Sequence, residues 1–556
     1  MPSRRTVLTG ALTLASSAIG APKQSGNNGG GGAFLDLLRT PDYAAAYASE
    51  KMIPLTRSGN GWRASGISVR TEPTSAGLPI VVSAPGSEPT RIHLRWKVQI
   101  SGDPLILGDA WERSYGELAW RFIVPDRVMP WYFLTYDGGA LHGYGVKTQA
   151  AALCFWQLDP EGVSLWLDVS NGGSGVQLGE RQLSAATVTT RQGSRNEKPM
   201  DAATAFCRTL CPAPRLPHSP LYGSNDWYYA YGKNSADQTL RDADLMATLS
   251  QSNKVRPFTV IDMGWEDGSA TFPSMSELAR QMKAKQVRPG LWIRPLEAPK
   301  DAAPNLLLPS ERFGKLAERK RELAFDPTIP EALAVVTQKV KSPVSWGYEL
   351  IKHDFSTYDL LGKWGREMGP EPTSAGWHLH DRTRTNAEVI LALYQALRDA
   401  SGEDTLLIGC NTVGHLGAGI FEAQRTGDDT SGKVWERTRR MGVNTLAYRL
   451  PQHNTFFAAD PDCVGITSAI PWELNRQWLD LIANTGVALF ISPGPDATGN
   501  EQRSAIKEAF AVTASQKTKA TPENWFRDLT PESWLVSGNR KRYNWYDNSG
   551  CLPFEI

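Results

Sequence analysis

From about Leu221 to Ser492 the chain repeats one pattern: a short apolar run ends in a polar or charged residue, and an amphipathic helix follows. Strand-length apolar runs alternating with helices bury both faces only as a parallel sheet covered by those helices. The runs end at Asp226, Asp262, Arg294, Asp354, Cys410, Arg425, Asp460 and Ser492. Eight such runs predict a closed α/β barrel. Helices over Asp237–Asn253, Ser274–Lys285 and Thr385–Ala400 fill the intervals, whereas the stretch from Pro295 to Trp346 requires an insertion.

Two of these runs carry candidate chemistry. The stretch from Trp346 to Asp354 reads as a barrel strand with Lys352 and Asp354 at its C-terminal end, where α/β barrels place their reacting groups. Two residues apart on a strand, they point to the same side. A lysine there keeps a carboxylate ionised, as a nucleophile requires. The second run, Ile420 to Asp429, passes Arg425 and ends in Asp428 and Asp429. It lies about two strand-helix units further on, so both carboxylates reach one rim from alternate strands.

The 556-residue chain is too long for one small core, and other patterns flank the barrel. Residues 1–33 read as a twin-arginine export signal, with Arg4-Arg5 before a mildly apolar run, followed by a flexible linker at Gly26–Gly32. The mature protein is therefore expected in the periplasm or outside the cell. Residues 34–215 are expected to form a β-sandwich domain after a short amphipathic helix over Phe34–Ala48. Its clearest strand, Arg91–Ile100, alternates polar and apolar side chains. Residues 216–512 form the predicted (β/α)8 barrel, and 513–556 a short C-terminal β segment with Trp525, Trp534 and Trp545.

Composition narrows the partners. With 59 Lys and Arg against 58 Asp and Glu, the chain has no charge excess to attract nucleic acid or an anionic membrane, and no later stretch is apolar enough to span one. The 19 Trp suit stacking against sugar faces, although most are expected in the core. Six Cys are too few for a disulfide scaffold, and Cys207 and Cys211 read as buried free thiols. His378, His380 and Asp381 match no standard metal spacing, and neither a metal nor a cofactor is indicated.

Four motifs in order, Ile261-Asp-Met-Gly-Trp265, Gly290-Leu-Trp-Ile-Arg-Pro295, Lys352-His-Asp354 and Arg425-Thr-Gly-Asp-Asp429, resemble those of the α-galactosidase clan of glycoside hydrolases. Family 36 is the nearest and family 27 a relative. Leu107–Gly116 and His142–Lys147 also resemble that family's N-terminal sandwich. The resemblance implies Asp354 as nucleophile and Asp429, four positions after Arg425, as acid/base. It further implies sugar contacts by Trp227, Asp262, Trp292, Lys352, Cys410 and Arg425. A retaining reaction then follows, in which Asp354 forms a glycosyl-enzyme while Asp429 protonates the leaving oxygen and later activates water. Asp429 is accordingly expected to hold its proton, its pKa raised by Asp428 or Asp354.

One position departs from the family. Met263 stands where a second aspartate usually helps to distinguish galactose from glucose, and a thioether is only a weak acceptor. Glu266 or Asp267 could compensate, or the enzyme could take another α-glycoside. Transglycosylation shares every catalytic residue, and a noncatalytic sugar-binding protein on the same scaffold is a further alternative.

Overall fold

The computed structural model describes residues 34–48, 50–266, 270–318, 322–547 and 549–553. The expected export signal and Asp267 lie outside them. No helix among the described residues is long and apolar enough to cross a membrane.

The N-terminal part is a sandwich of a six-stranded and an eight-stranded antiparallel sheet. In the strand Pro89–Lys97, Ile92, Leu94 and Trp96 are buried while the residues between them are less so, as the alternation predicts. The expected helix at the start is absent. Tyr43–Ala48 is instead a strand antiparallel to Pro89–Lys97, and the preceding residues run without helix. Pro41 lacks the N–H a helix needs. Sheet packing takes up the rest of the segment, since Ala44, Ala45 and Ala46 are fully buried and Phe34 stacks on Tyr144.

The barrel strands are β1 (Tyr222–Asn225), β2 (Phe258–Ile261), β3 (Arg288–Ile293), β4 (Leu350–His353), β5 (Leu406–Gly409), β6 (Ala423–Arg425), β7 (Ala458–Asp460), β8 (Val464–Ile466) and β9 (Leu489–Pro493). All pairings are parallel, in the order β7-β6-β5-β4-β3-β2-β1-β9-β8. Nine segments fill eight positions because the seventh strand is broken by Pro461 and by Asp462, whose φ is +74°. Its first half pairs with β6 and its second with β9. The strand before Asp354 is shorter than its apolar run implied. Trp346 closes the helix Pro330–Trp346, Gly347 ends that helix at φ +97°, and β4 begins at Leu350. A three-stranded antiparallel sheet follows the barrel.

Charge as well as apolar packing fixes the wall that carries β6. Glu422 accepts from Arg398 Nη1 at 2.8 and 2.9 Å, from Arg215 and from the Leu407 N–H, and both Glu422 and Arg398 are about 95% buried. Replacing one partner of such a pair leaves the other charge buried and uncompensated. Glu422→Ala is therefore expected to cost about 3–5 kcal/mol. Calorimetry should show this as a lower thermal midpoint.

Most Trp residues belong to the core, among them Trp96, Trp131, Trp156, Trp478, Trp534 and Trp545. Cys207 and Cys211 are buried free thiols.

Candidate active site

Asp354 directly follows β4, and its N–H still donates to Ile293 of β3. The backbone then turns sharply through Phe355 at φ +61°. Three N–H groups fix the carboxylate. Oδ1 accepts from the backbone of Phe355 at 2.7 Å and of Asn411 at 3.0 Å, and Oδ2 accepts from Trp292 Nε1 at 3.1 Å. Burial alone pushes Asp354 up, but Arg113, Lys352 and the Trp292 hydrogen bond bring it below the ordinary aspartate range. It is thus an ionised, oriented carboxylate.

Trp292 is both a wall and a donor. Trp292→Phe keeps an aromatic wall and deletes the N–H. A hydrogen bond to a charged group contributes about 1.5–3 kcal/mol, so kcat/KM should fall roughly 10- to 100-fold. Steady-state kinetics on the best aryl glycoside would check this, with no change in fold by circular dichroism.

Lys352 reaches Asp262 rather than Asp354 directly, with Nζ 2.8 Å from Asp262 Oδ2. The same oxygen accepts from Asn225 Nδ2 at 2.7 Å, and Oδ1 from the Met263 N–H at 2.9 Å. Asp262 does not cap the following helix; Ser274 does. Burial and the neighbouring Asp262 push Asp226 up to about 8. Met263 is 37% exposed and lines the same cavity as Asp262. Glu266 does not reach that cavity. It lines a larger one of about 1320 Å³ with Trp265 and Trp346, and neither Asp354 nor Asp429 borders that larger cavity. His353 packs edge-to-face on Phe421, and burial pushes it down to about 4, so it is neutral.

Asp428 and Asp429 follow β6 and face different surroundings. Asp428 is buried in ion pairs with Arg113, at 2.8 Å, and Arg437. The Asp429 side chain is 37% exposed and borders the cavity; its Oδ1 lies 3.2 Å from Arg425 Nη2 and 3.4 Å from Arg113 Nη1. The surroundings act against the expectation that Asp429 holds its proton in the unliganded protein. Burial pushes it up, but Arg113, Arg425, Lys352 and Arg437 together outweigh burial and leave it at about 2. Four cations exceed what Asp354 and Asp428 can contribute in the opposite sense.

Arg113 was not singled out by sequence reasoning. It arrives from the β-sandwich, where Glu112-Arg113-Ser114 lies on the barrel rim. Ser114 forms a parallel bridge with Gly427, donating to Thr426 O at 3.0 Å and accepting from the Asp428 N–H at 2.8 Å. A Cβ on Gly427 would stand 2.3 Å from Met441 O, so this close approach requires glycine. Glu112 anchors the loop from below through Asn411, Tyr115 and the Gly365 N–H.

A cavity of about 120 Å³, the liquid volume of about four waters, is lined by Arg113, Trp227, Asp262, Met263, Trp292, Lys352, Asp354, Phe355, Trp364 and Asp429. Six of the eight expected residues meet there. The other two, Cys410 and Arg425, are buried behind the wall, where Arg425 bonds Cys410 Sγ and pairs with Asp462 at 2.9 Å. Besides Arg113, sequence reasoning missed Phe355 and Trp364, the latter stacked on Tyr358. No cluster of metal-ligating side chains occurs among the described residues.

No family model matches the chain. Solved structures do. An α-galactosidase from Thermus thermophilus, in complex with p-nitrophenyl α-D-galactopyranoside, is 16% identical with a TM-score of 0.56, over 90% of this chain and 99% of that one. The GH36 α-galactosidase AgaA from Geobacillus stearothermophilus is 11% identical with a TM-score of 0.58, over 90% and 79%. A cycloalternan-degrading enzyme from Trueperella pyogenes is 12% identical with a TM-score of 0.51, over 87% and 81%. The chain thus has the β-sandwich and (β/α)8-barrel fold of the α-galactosidases of glycoside hydrolase family 36.

Proposed function

We propose that this chain is an exported, retaining α-glycosidase of α-galactosidase type. The carrying observation is the pair of carboxylates on one aromatic-walled cavity, Asp354 held by three N–H donors and Asp429 facing it from the next strand but one. Asp354 attacks the anomeric carbon, and the aglycone oxygen leaves with a proton from Asp429. Asp429 then takes a proton from the water that releases the sugar. Such a pair acts at about 5–5.5 Å. Trp227 and Trp292 offer apolar faces for the sugar ring, while Asp262 and Lys352 present an acceptor and a donor to its hydroxyls. Twin-arginine export is proposed from Arg4-Arg5 and the apolar run after them.

Hydrolysis of a panel of p-nitrophenyl α- and β-glycosides, with proton NMR of the first-formed sugar, tests the proposal. Release of the α-anomer first is expected. Cleavage of β-glycosides only, or release of the β-anomer from an α-glycoside, would refute it.

Met263 favours a second reading in which the mechanism is kept and the sugar is not galactose. Asp262 supplies a carboxylate, but the thioether beside it cannot accept strongly from a second hydroxyl. On this reading Met263→Asp raises the ratio of α-galactoside to α-glucoside kcat/KM by about 10-fold or more, the effect of one gained hydrogen bond to a charged group. An unchanged ratio in the panel would remove Met263 as the determinant.

A further inference from the structure

Resting on the assignment of Asp429 as acid/base, we propose that Arg113 of the β-sandwich is a positioning residue. It pairs with Asp429 before substrate enters, and an entering glycoside frees that carboxylate by leaving the guanidinium on Asp428 alone. The geometry supplies both positions. Arg113 Nη2 lies 2.8 Å from Asp428, whereas Nη1 is shared loosely between Asp429 at 3.4 Å and Cys410 Sγ at 3.7 Å, and Nε has no partner. The loop that carries Arg113 is tied to the rim through Ser114 and Glu112. Its buried guanidinium lies over the Trp364 ring and reaches both carboxylates at once through different nitrogens.

Charges face Asp429 from every neighbouring element. Arg425 of β6, Lys352 of β4 and Arg437 of the following helix add to Arg113. Opposing them are Asp354 after β4, Asp428 beside it and Asp462 after β7, with Tyr228 and Tyr231 close by on the first barrel loop. Arg425 is already paired with Asp462, and Lys352 with Asp262. Arg113 likewise has Asp428 as a second partner, but unlike Arg425 it borders the cavity, where an entering glycosidic oxygen can take its place beside Asp429. When a glycosidic oxygen takes its place, Asp429 takes one proton from solvent. That proton passes to the leaving oxygen as the C–O bond breaks.

Substrate binding is then coupled to proton uptake. The alkaline limb of kcat/KM reports the free enzyme and that of kcat the complex, so the kcat limb should lie at higher pH. A cation within about 4–6 Å lowers a carboxylate by about 1–3 units. In Arg113→Gln the kcat/KM limb should therefore move up by about one unit or more, closing the gap, while Arg113→Lys retains it. Asp428→Asn removes the alternative partner and should lower kcat by about tenfold, equivalent to one unit, with KM within about twofold of wild type. A gap unaltered in Arg113→Gln would overturn the proposal. If that variant does not fold, an unaltered kcat in Asp428→Asn would do so. An Asp429→Ala control separates the two readings. Undiminished turnover of poor leaving groups there would defeat the acid/base assignment itself, whereas an inactive control with unaltered Arg113 profiles defeats only the coupling.

Discussion

Asp354→Ala is expected to lose at least about a thousandfold in kcat on any α-glycoside the wild type cleaves, the scale seen when a covalent nucleophile is removed. The side chain is positioned by three donors, from Trp292, Phe355 and Asn411, that only an acceptor satisfies. Alanine removes the acceptor and leaves space beside the anomeric carbon. A small anion should enter that space, so azide is expected to restore turnover and give the β-glycosyl azide, inverted relative to the substrate. Asp354→Asn should be equally slow without azide rescue, because the amide fills the space and is a poor nucleophile. Turnover within tenfold of wild type in either variant would show that Asp354 is a structural strand-end carboxylate.

Asp429→Ala is expected to behave differently. General acid catalysis contributes about 10²- to 10⁴-fold, and the need for it scales with the basicity of the leaving group. Natural oligosaccharides and p-methoxyphenyl glycosides should lose that full factor in kcat/KM, whereas 2,4-dinitrophenyl glycosides should lose little in the first step and accumulate a glycosyl-enzyme. Azide should then resolve the intermediate from the face that water uses and give the α-glycosyl azide. The two azide products, β from Asp354→Ala and α from Asp429→Ala, assign the two roles separately. Equal losses across all leaving groups in Asp429→Ala would argue that this carboxylate only balances Arg113 and Arg425.

The sequence revealed the barrel because each strand's apolar run ends in a polar residue, a local signal. The eight expected strand ends fall at or next to the ends of barrel strands, from Asp226 after β1 to Ser492 within β9. Where local signals compete, tertiary partners decide the outcome. Ala-rich Tyr43–Ala48 looks helical until the sandwich supplies a partner strand, and Trp346 looks like strand until Gly347 ends the helix it belongs to. The lining of the candidate cavity was legible where a residue sits on the rim by its own strand, as with Asp262, Trp292, Lys352 and Asp354. Arg113 was not legible, because its place depends on two distant segments meeting, Ser114 against Gly427. The same contact sets the surroundings of Asp429: Asp428 is beside it in sequence, whereas Arg113, Lys352 and Arg437 join Arg425 around it only in space. Trp364 was hidden for a related reason, since its position rests on the stack with Tyr358 rather than on any periodicity.

The most direct test of a covalent mechanism at β4 is to trap the intermediate. The wild-type protein would be incubated with 5-fluoro-α-glycosyl fluorides of the galacto and gluco series, and its intact mass and peptides measured. The expected result is the addition of one fluoroglycosyl unit, carried by the peptide containing Asp354 and absent in Asp354→Ala. An adduct on another carboxylate, or undiminished labelling of Asp354→Ala, would contradict it.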